Sequence, residues 1–76
     1  MLMDKLVFDY SKLRGRIVER YGYTKDFAEA IGIAPTSLSL KLNNKGYFSQ
    51  TEIKRSIDAL GIEPGSVASY FFAVRL

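Results

Sequence analysis

Apolar residues recur along this chain at helical spacing and are cut into short runs by glycines. Leu13, Ile17 and Tyr21 stand four residues apart, the interval that stacks side chains on one face of a helix. They predict a first helix from about Tyr10 to Tyr21, capped by Asp9 and stopped by Gly22, since glycine adopts a left-handed stop at no steric cost. A second helix of about two turns opens at the capping residue Thr24, turns Phe27, Ala28 and Ile31 to one side, and ends at Gly32. The third starts at Pro35, whose missing N–H is no loss at a first helical position, and runs to about Asn43. Leu38 and Leu42 form its apolar stripe, and Leu40 falls on the other side.

Asn43-Asn44-Lys45-Gly46 is a turn cluster, and Asn tolerates the left-handed conformation that ends a helix. Ser49-Gln50-Thr51-Glu52 spells a capping box, with Phe48 set to pack on Ile53 as a hydrophobic staple. The fourth helix then runs to Leu60, with Ile53, Ile57 and Leu60 inward and Gly61 as its stop. Glu63-Pro64 opens a short fifth helix through about Tyr70, with Val67, Tyr70 and Phe71 apolar. The tail from Phe71 to Leu76 is too apolar to lie free in water. Three placements fit it: against helix one, as a strand beside Leu6-Val7-Phe8, or in a dimer interface.

Length turns this pattern into one domain. Seventy-six residues hold a single core and bury only about 60% of the unfolded surface, so partner subunits are a natural source of extra stability. The absence of Cys and His removes disulfide frameworks, thiolate and imidazole metal sites, and Ser-His-Asp catalysis. The remaining Asp, Glu, Ser, Tyr and Lys residues show no spacing that assembles an active site, so the chain reads as a non-enzyme with no cofactor, metal or small-molecule ligand. Asp4 and Lys5 interrupt the opening Met1-Leu2-Met3, and no run of about 18 apolar residues exists. The expectation is a soluble, cytoplasmic protein with no membrane partner.

The net charge of +3 matters through its distribution. Lys12, Arg14, Arg16, Arg20 and Lys25 face only Glu19 in one block, and Lys41, Lys45, Lys54 and Arg55 face only Glu52 in another. Brought onto one face, the two blocks would make a footprint for a polyanion.

Helices two and three carry the specific signal. Ala28 permits close approach of two crossing helices, Gly32 supplies positive φ at the turn, Ile33 plugs the corner, and Leu38 packs back between the pair. This spacing resembles the helix-turn-helix of the lambda-repressor-like family, the Xre or Cro type, closely over Thr24 to Asn43 and more loosely over about residues 9–71. Phage and prophage Cro-like regulators are similar, and the run from Thr36 to Asn43 looks like their recognition helix. The resemblance implies an all-α, compact five-helix DNA-binding domain over residues 1–76, compatible with short extended segments at its two ends. It further implies a homodimer on a palindromic operator in double-stranded DNA, the helix at 35–43 in the major groove, and repression by promoter occlusion.

On that template Pro35, Thr36 and Ser37, with Leu40 and Lys41 one turn later, face base edges. Phosphate contacts fall to Thr24, Lys25, Ser39, Asn43, Lys45 and Tyr47, joined by Arg14 or Arg16 if helix one presents them. The chain departs from the family where Thr24 replaces a common Gln, Ala34 a capping Ser or Thr, and Asn44 a Gly. None of Pro35, Thr36 or Ser37 reads adenine or guanine bidentately, so recognition leans on shape, water and thymine methyls, with Lys41 the best candidate for a guanine. The alternative function is a helical protein-interaction module, such as an antirepressor or a toxin-partner protein, docking through the apolar tail.

Overall fold

The computed structural model describes residues 6–75. Five α-helices follow one another: α1 (Ser11–Tyr21), α2 (Thr24–Ile31), α3 (Pro35–Leu42), α4 (Gln50–Leu60) and α5 (Val67–Phe71), the last entered through a 3₁₀ turn at Pro64–Ser66. The all-α expectation is met. Leu13 and Ile17 of α1, Phe27, Ala28 and Ile31 of α2, Leu38 and Leu42 of α3, Leu60 of α4 and Phe71 of α5 meet in one buried core. Each large side chain among them stabilises the fold by about 1.5–3 kcal/mol through the area it removes from water. Ser56 is the one polar residue wholly buried among the described residues, and its hydroxyl donates to the Glu52 carbonyl at 2.7 Å.

Local signals set most boundaries. Gly32 and Gly61 close α2 and α4 in the left-handed conformation, with φ of 78° and 63°. The capping box at Ser49 is complete: the Glu52 N–H donates to Ser49 Oγ, and the Ser49 N–H donates to Glu52 Oε1. Two caps sit elsewhere than the sequence suggests. Tyr10 holds the cap position of α1, while Asp9 accepts the Ser11 N–H and hydroxyl from one residue further out. Tyr23, with extended backbone, precedes α2, so Thr24 is already helical and caps nothing. A cap needs a non-helical backbone as well as a polar side chain, and here the chain enters the helix one residue early.

The tail takes the second of its three open placements. Val74 forms an antiparallel bridge with Phe8, the Asp9 N–H donates to the Ala73 carbonyl, and the Arg75 N–H donates to the Val7 carbonyl, both at 2.7 Å. A relay of rings runs inward from this ribbon, Phe72 on Phe8, Phe8 on Tyr10, Tyr10 on Phe48 and Phe48 on Phe71, with centroids 5.4–6.4 Å apart. Leu76 and residues 1–5 lie outside the described residues. No helix among the described residues is long and apolar enough to cross a membrane.

Candidate nucleic-acid interface

Three residues, Gly32, Ile33 and Ala34, connect α2 to α3. The Ile33 N–H reaches back to the Ala28 carbonyl at 3.0 Å, and a side chain at Gly32 would place its Cβ 3.1 Å from Arg55 Nη1. With Leu38 and Leu42 buried against the core, helical geometry presents Pro35, Thr36, Ser39 and Leu40 outward, and all four are exposed. Ser37 is half-buried at the edge of this row. Leu40 and Tyr47 are 54% and 60% exposed, so Leu40 is not sealed beneath the tyrosine. Asn43 ends the helix, its amide donating to the Ser39 carbonyl.

Lys41 departs from the row. Its ammonium lies 2.7 Å from Glu52 Oε1, and both side chains are more than four-fifths buried. Burial pushes the Glu52 carboxyl up, but the hydrogen bonds from Lys41 and Ser49, together with the Lys41 charge, outweigh it and hold the group below its ordinary value. The residue expected to reach for a guanine instead ties α3 to the start of α4. The carboxylate that claims it comes from eleven residues away.

The arginines are claimed in a common manner. Arg14 Nη2 donates to the Leu42 carbonyl and to Asn43 Oδ1, Arg16 Nε to the Leu60 carbonyl, and Arg55 Nη1 to the Ile31 carbonyl. Each guanidinium therefore covers the C-terminus of a neighbouring helix, α3, α4 and α2 in turn, where orphan acceptors and the negative end of the helix dipole gather. Lys54 pairs with Asp58, and Lys12 bonds Ser69 Oγ beneath the Tyr70 ring. The two basic blocks of the sequence thus do not converge as one free face. Among the described residues, the cations without a hydrogen-bond or ion-pair partner are Arg20, Lys25, Lys45 and Arg75.

The two ends of α3 border different cavities. Beside its N-terminus a cavity of about 460 Å³ is lined by Lys25, Asp26, Glu29, Ile33 and Pro35, so the ammonium expected to hold a phosphate there shares its surroundings with two carboxylates. Thr24, the other candidate at that end, is exposed at the first position of α2. Beside the C-terminus a cavity of about 540 Å³ is walled by Arg14, Asn43, Asn44, Lys45, Ser11 and Arg75, and none of its lining residues is acidic. Asn44, at φ 61°, shapes this end. Its side-chain oxygen accepts the Phe8 N–H at 2.8 Å and its amide donates to the Phe8 carbonyl at 3.0 Å, pinning the turn to the terminal ribbon.

Sequence reasoning placed Asn43 and Lys45 at this end but missed Arg75, Asn44 and Glu52. Asn44 left a local trace as turn chemistry and Glu52 as half of the capping box, but neither the bonds of Asn44 to Phe8 nor the pairing of Glu52 with Lys41 follows from local spacing.

The family described as "Protein of unknown function (DUF739)" matches residues 6–74. Among solved structures, the chain is similar to the solution structure of the modulator of repression (MOR) of the temperate bacteriophage TP901-1 from Lactococcus lactis. The two are 38% identical with a TM-score of 0.74, over 86% of this chain and 88% of that one. No curated protein matches.

Proposed function

The chain belongs to the family described as "Protein of unknown function (DUF739)", and from that premise we propose that it is a small regulator of phage-type repression that acts on operator DNA through α3. The observation that carries the reading is the α2–α3 pair: a three-residue turn at a left-handed glycine, with Leu38 buried behind a helix whose Pro35, Thr36 and Leu40 stay in solvent. An α-helix so presented fits a major groove, where Thr36 offers a hydroxyl and a methyl to base edges and Leu40 an apolar contact to thymine. The likeness of the chain to a modulator of repression supports the regulatory setting. The resemblance to Cro-type proteins supports two copies on a two-fold operator, acting by occlusion of a promoter.

A second reading has its own observation. With Lys41 held by Glu52, the outer row of α3 is short and uncharged, a surface that suits contact with another regulatory protein as an antirepressor makes. Selection of the purified chain against a pool of randomised duplexes separates the two. Enrichment of a two-fold-symmetric sequence is the outcome of the first reading. Absence of any duplex retention at low salt defeats it and leaves the protein-docking role.

A further inference from the structure

We propose that the cavity at the C-terminal end of α3 is a seat for one phosphodiester of the DNA backbone, closed on its far side by Arg75. The inference rests on the DNA reading above and adds to it a residue that lies thirty-three positions beyond the end of α3.

Three cations from three parts of the chain line this cavity, Arg14 from α1, Lys45 from the turn after α3, and Arg75 from the terminal ribbon. Each is brought there by bonds of its own. Arg14 is fixed by Nη2 on Leu42 and Asn43, which leaves Nε and Nη1 without partners among the described residues. Lys45 is fixed by its N–H on the Leu40 carbonyl at 2.8 Å and by the neighbouring Asn44 clamp on Phe8. Arg75 is fixed by its N–H on the Val7 carbonyl.

Gathering three like charges around one space costs repulsion, and among the described residues no carboxylate lines the cavity to relieve it. Asp9, the acidic residue nearest in sequence to the rim, accepts the N–H and hydroxyl of Ser11 and feels the charge of Arg75 without bonding it, so it offsets that charge only in part. A bound anion removes that cost. Its position at the C-terminus of α3, beside the outward row, makes a backbone phosphate its natural occupant, a contact that fixes the register of the helix in the groove without reading sequence.

A single phosphate shared by several cations leaves a particular signature. Binding releases the counterions of one phosphate, so the slope of log Kobs against log[salt] carries about 0.9 for the whole seat. We expect the full chain carrying both Lys45→Gln and Arg75→Gln to lose about 0.9 in that slope for each protomer bound, with single variants losing no more. Among the described residues the side chains of both make no hydrogen bond or ion pair, so the melting curve of the double variant stays close to that of the parent. A loss of about 1.8 for each protomer would mean two separate phosphates per chain, and no loss would mean bystanders; either overturns the seat.

Titration with dimethyl phosphate, followed by amide chemical shifts, separates the source of the anion. Shifts at Ser11, Asn43, Lys45 and Arg75 that vanish in the double variant support the seat, and their absence overturns it. If dimethyl phosphate fills the cavity but the parent chain retains no duplex at low salt, the DNA reading and the assignment of the seat to DNA both fall. The site is then one for a free phosphate.

Discussion

The two ends of α3 differ in what surrounds them more than in what they are made of. At the N-terminus, where unpaired N–H groups and the positive end of the dipole favour an anion, Asp26 and Glu29 stand beside Lys25. At the C-terminus, where the dipole is negative, Arg14 covers the Leu42 carbonyl, and Lys45 and Arg75 add charge beside a cavity that no acidic residue lines among the described residues. The backbone preference is inverted by the side chains at both ends. A cation's donors are available to a ligand only where no carbonyl or carboxylate of the fold reaches them first, which leaves Arg14 its Nε and Nη1. By that criterion Lys41, Arg16 and Arg55 are structural here, and Lys45 and Arg75 are available.

The largest test removes the contrast altogether. Gly32→Val places a β-branched residue at φ 78° and its Cβ against Arg55, so both ends of α3 lose their mounting. The expected loss is about 3 kcal/mol, seen as a fall in melting temperature of roughly 12 °C or more by circular dichroism. An unchanged melt would show that the turn does not hold α3.

Asn44→Ala breaks only the cationic end. It deletes two hydrogen bonds to Phe8 at a residue of positive φ, for a cost of about 2 kcal/mol. Amide exchange should accelerate at Phe8 and Arg75 while α2 keeps its protection. Equal acceleration in both places would mean that the two ends are not separable.

How far the sequence carries is visible in these two positions. Gly32, Pro35 and the Ser49 capping box act through bonds spanning a few residues, so their spacing discloses them. The pairings that decide the site do not: Asn44 to Phe8 spans 36 residues, Arg16 to Leu60 spans 44, and Arg14 to Leu42 spans 28. Charge counted along the chain therefore overstates the free charge on the surface. Thr24 shows the opposite limit, a local rule with the right residue in a position one step inside the helix.

Glu52→Gln frees Lys41 and keeps a side chain that still accepts the Ser49 N–H. The cost is about 1 kcal/mol by chemical denaturation at neutral pH. Because folding holds Glu52 and Asp9 below their ordinary values, both contribute stability at neutral pH that is lost as acid protonates them. The parent chain should weaken from about pH 5 downward, and the Gln variant less steeply. An acid limb of equal slope in both proteins would remove Glu52 from the account.

The smallest effect comes from neutralising the acidic end with Asp26→Asn and Glu29→Gln together. Duplex affinity at low salt should rise about threefold as repulsion of the nearby backbone falls, and the gain should fade as salt is added. A loss of affinity would place those carboxylates in recognition rather than in repulsion.

The most direct test of the asymmetry is amide chemical-shift mapping of the full chain titrated with duplex DNA. The account predicts shifts along Thr36, Ser37 and Leu40 and at Ser11, Asn43, Lys45 and Arg75, with Asp26 and Glu29 nearly still. Shifts centred on Asp26 and Glu29, or on the ribbon around Phe72 with α3 unmoved, would contradict it.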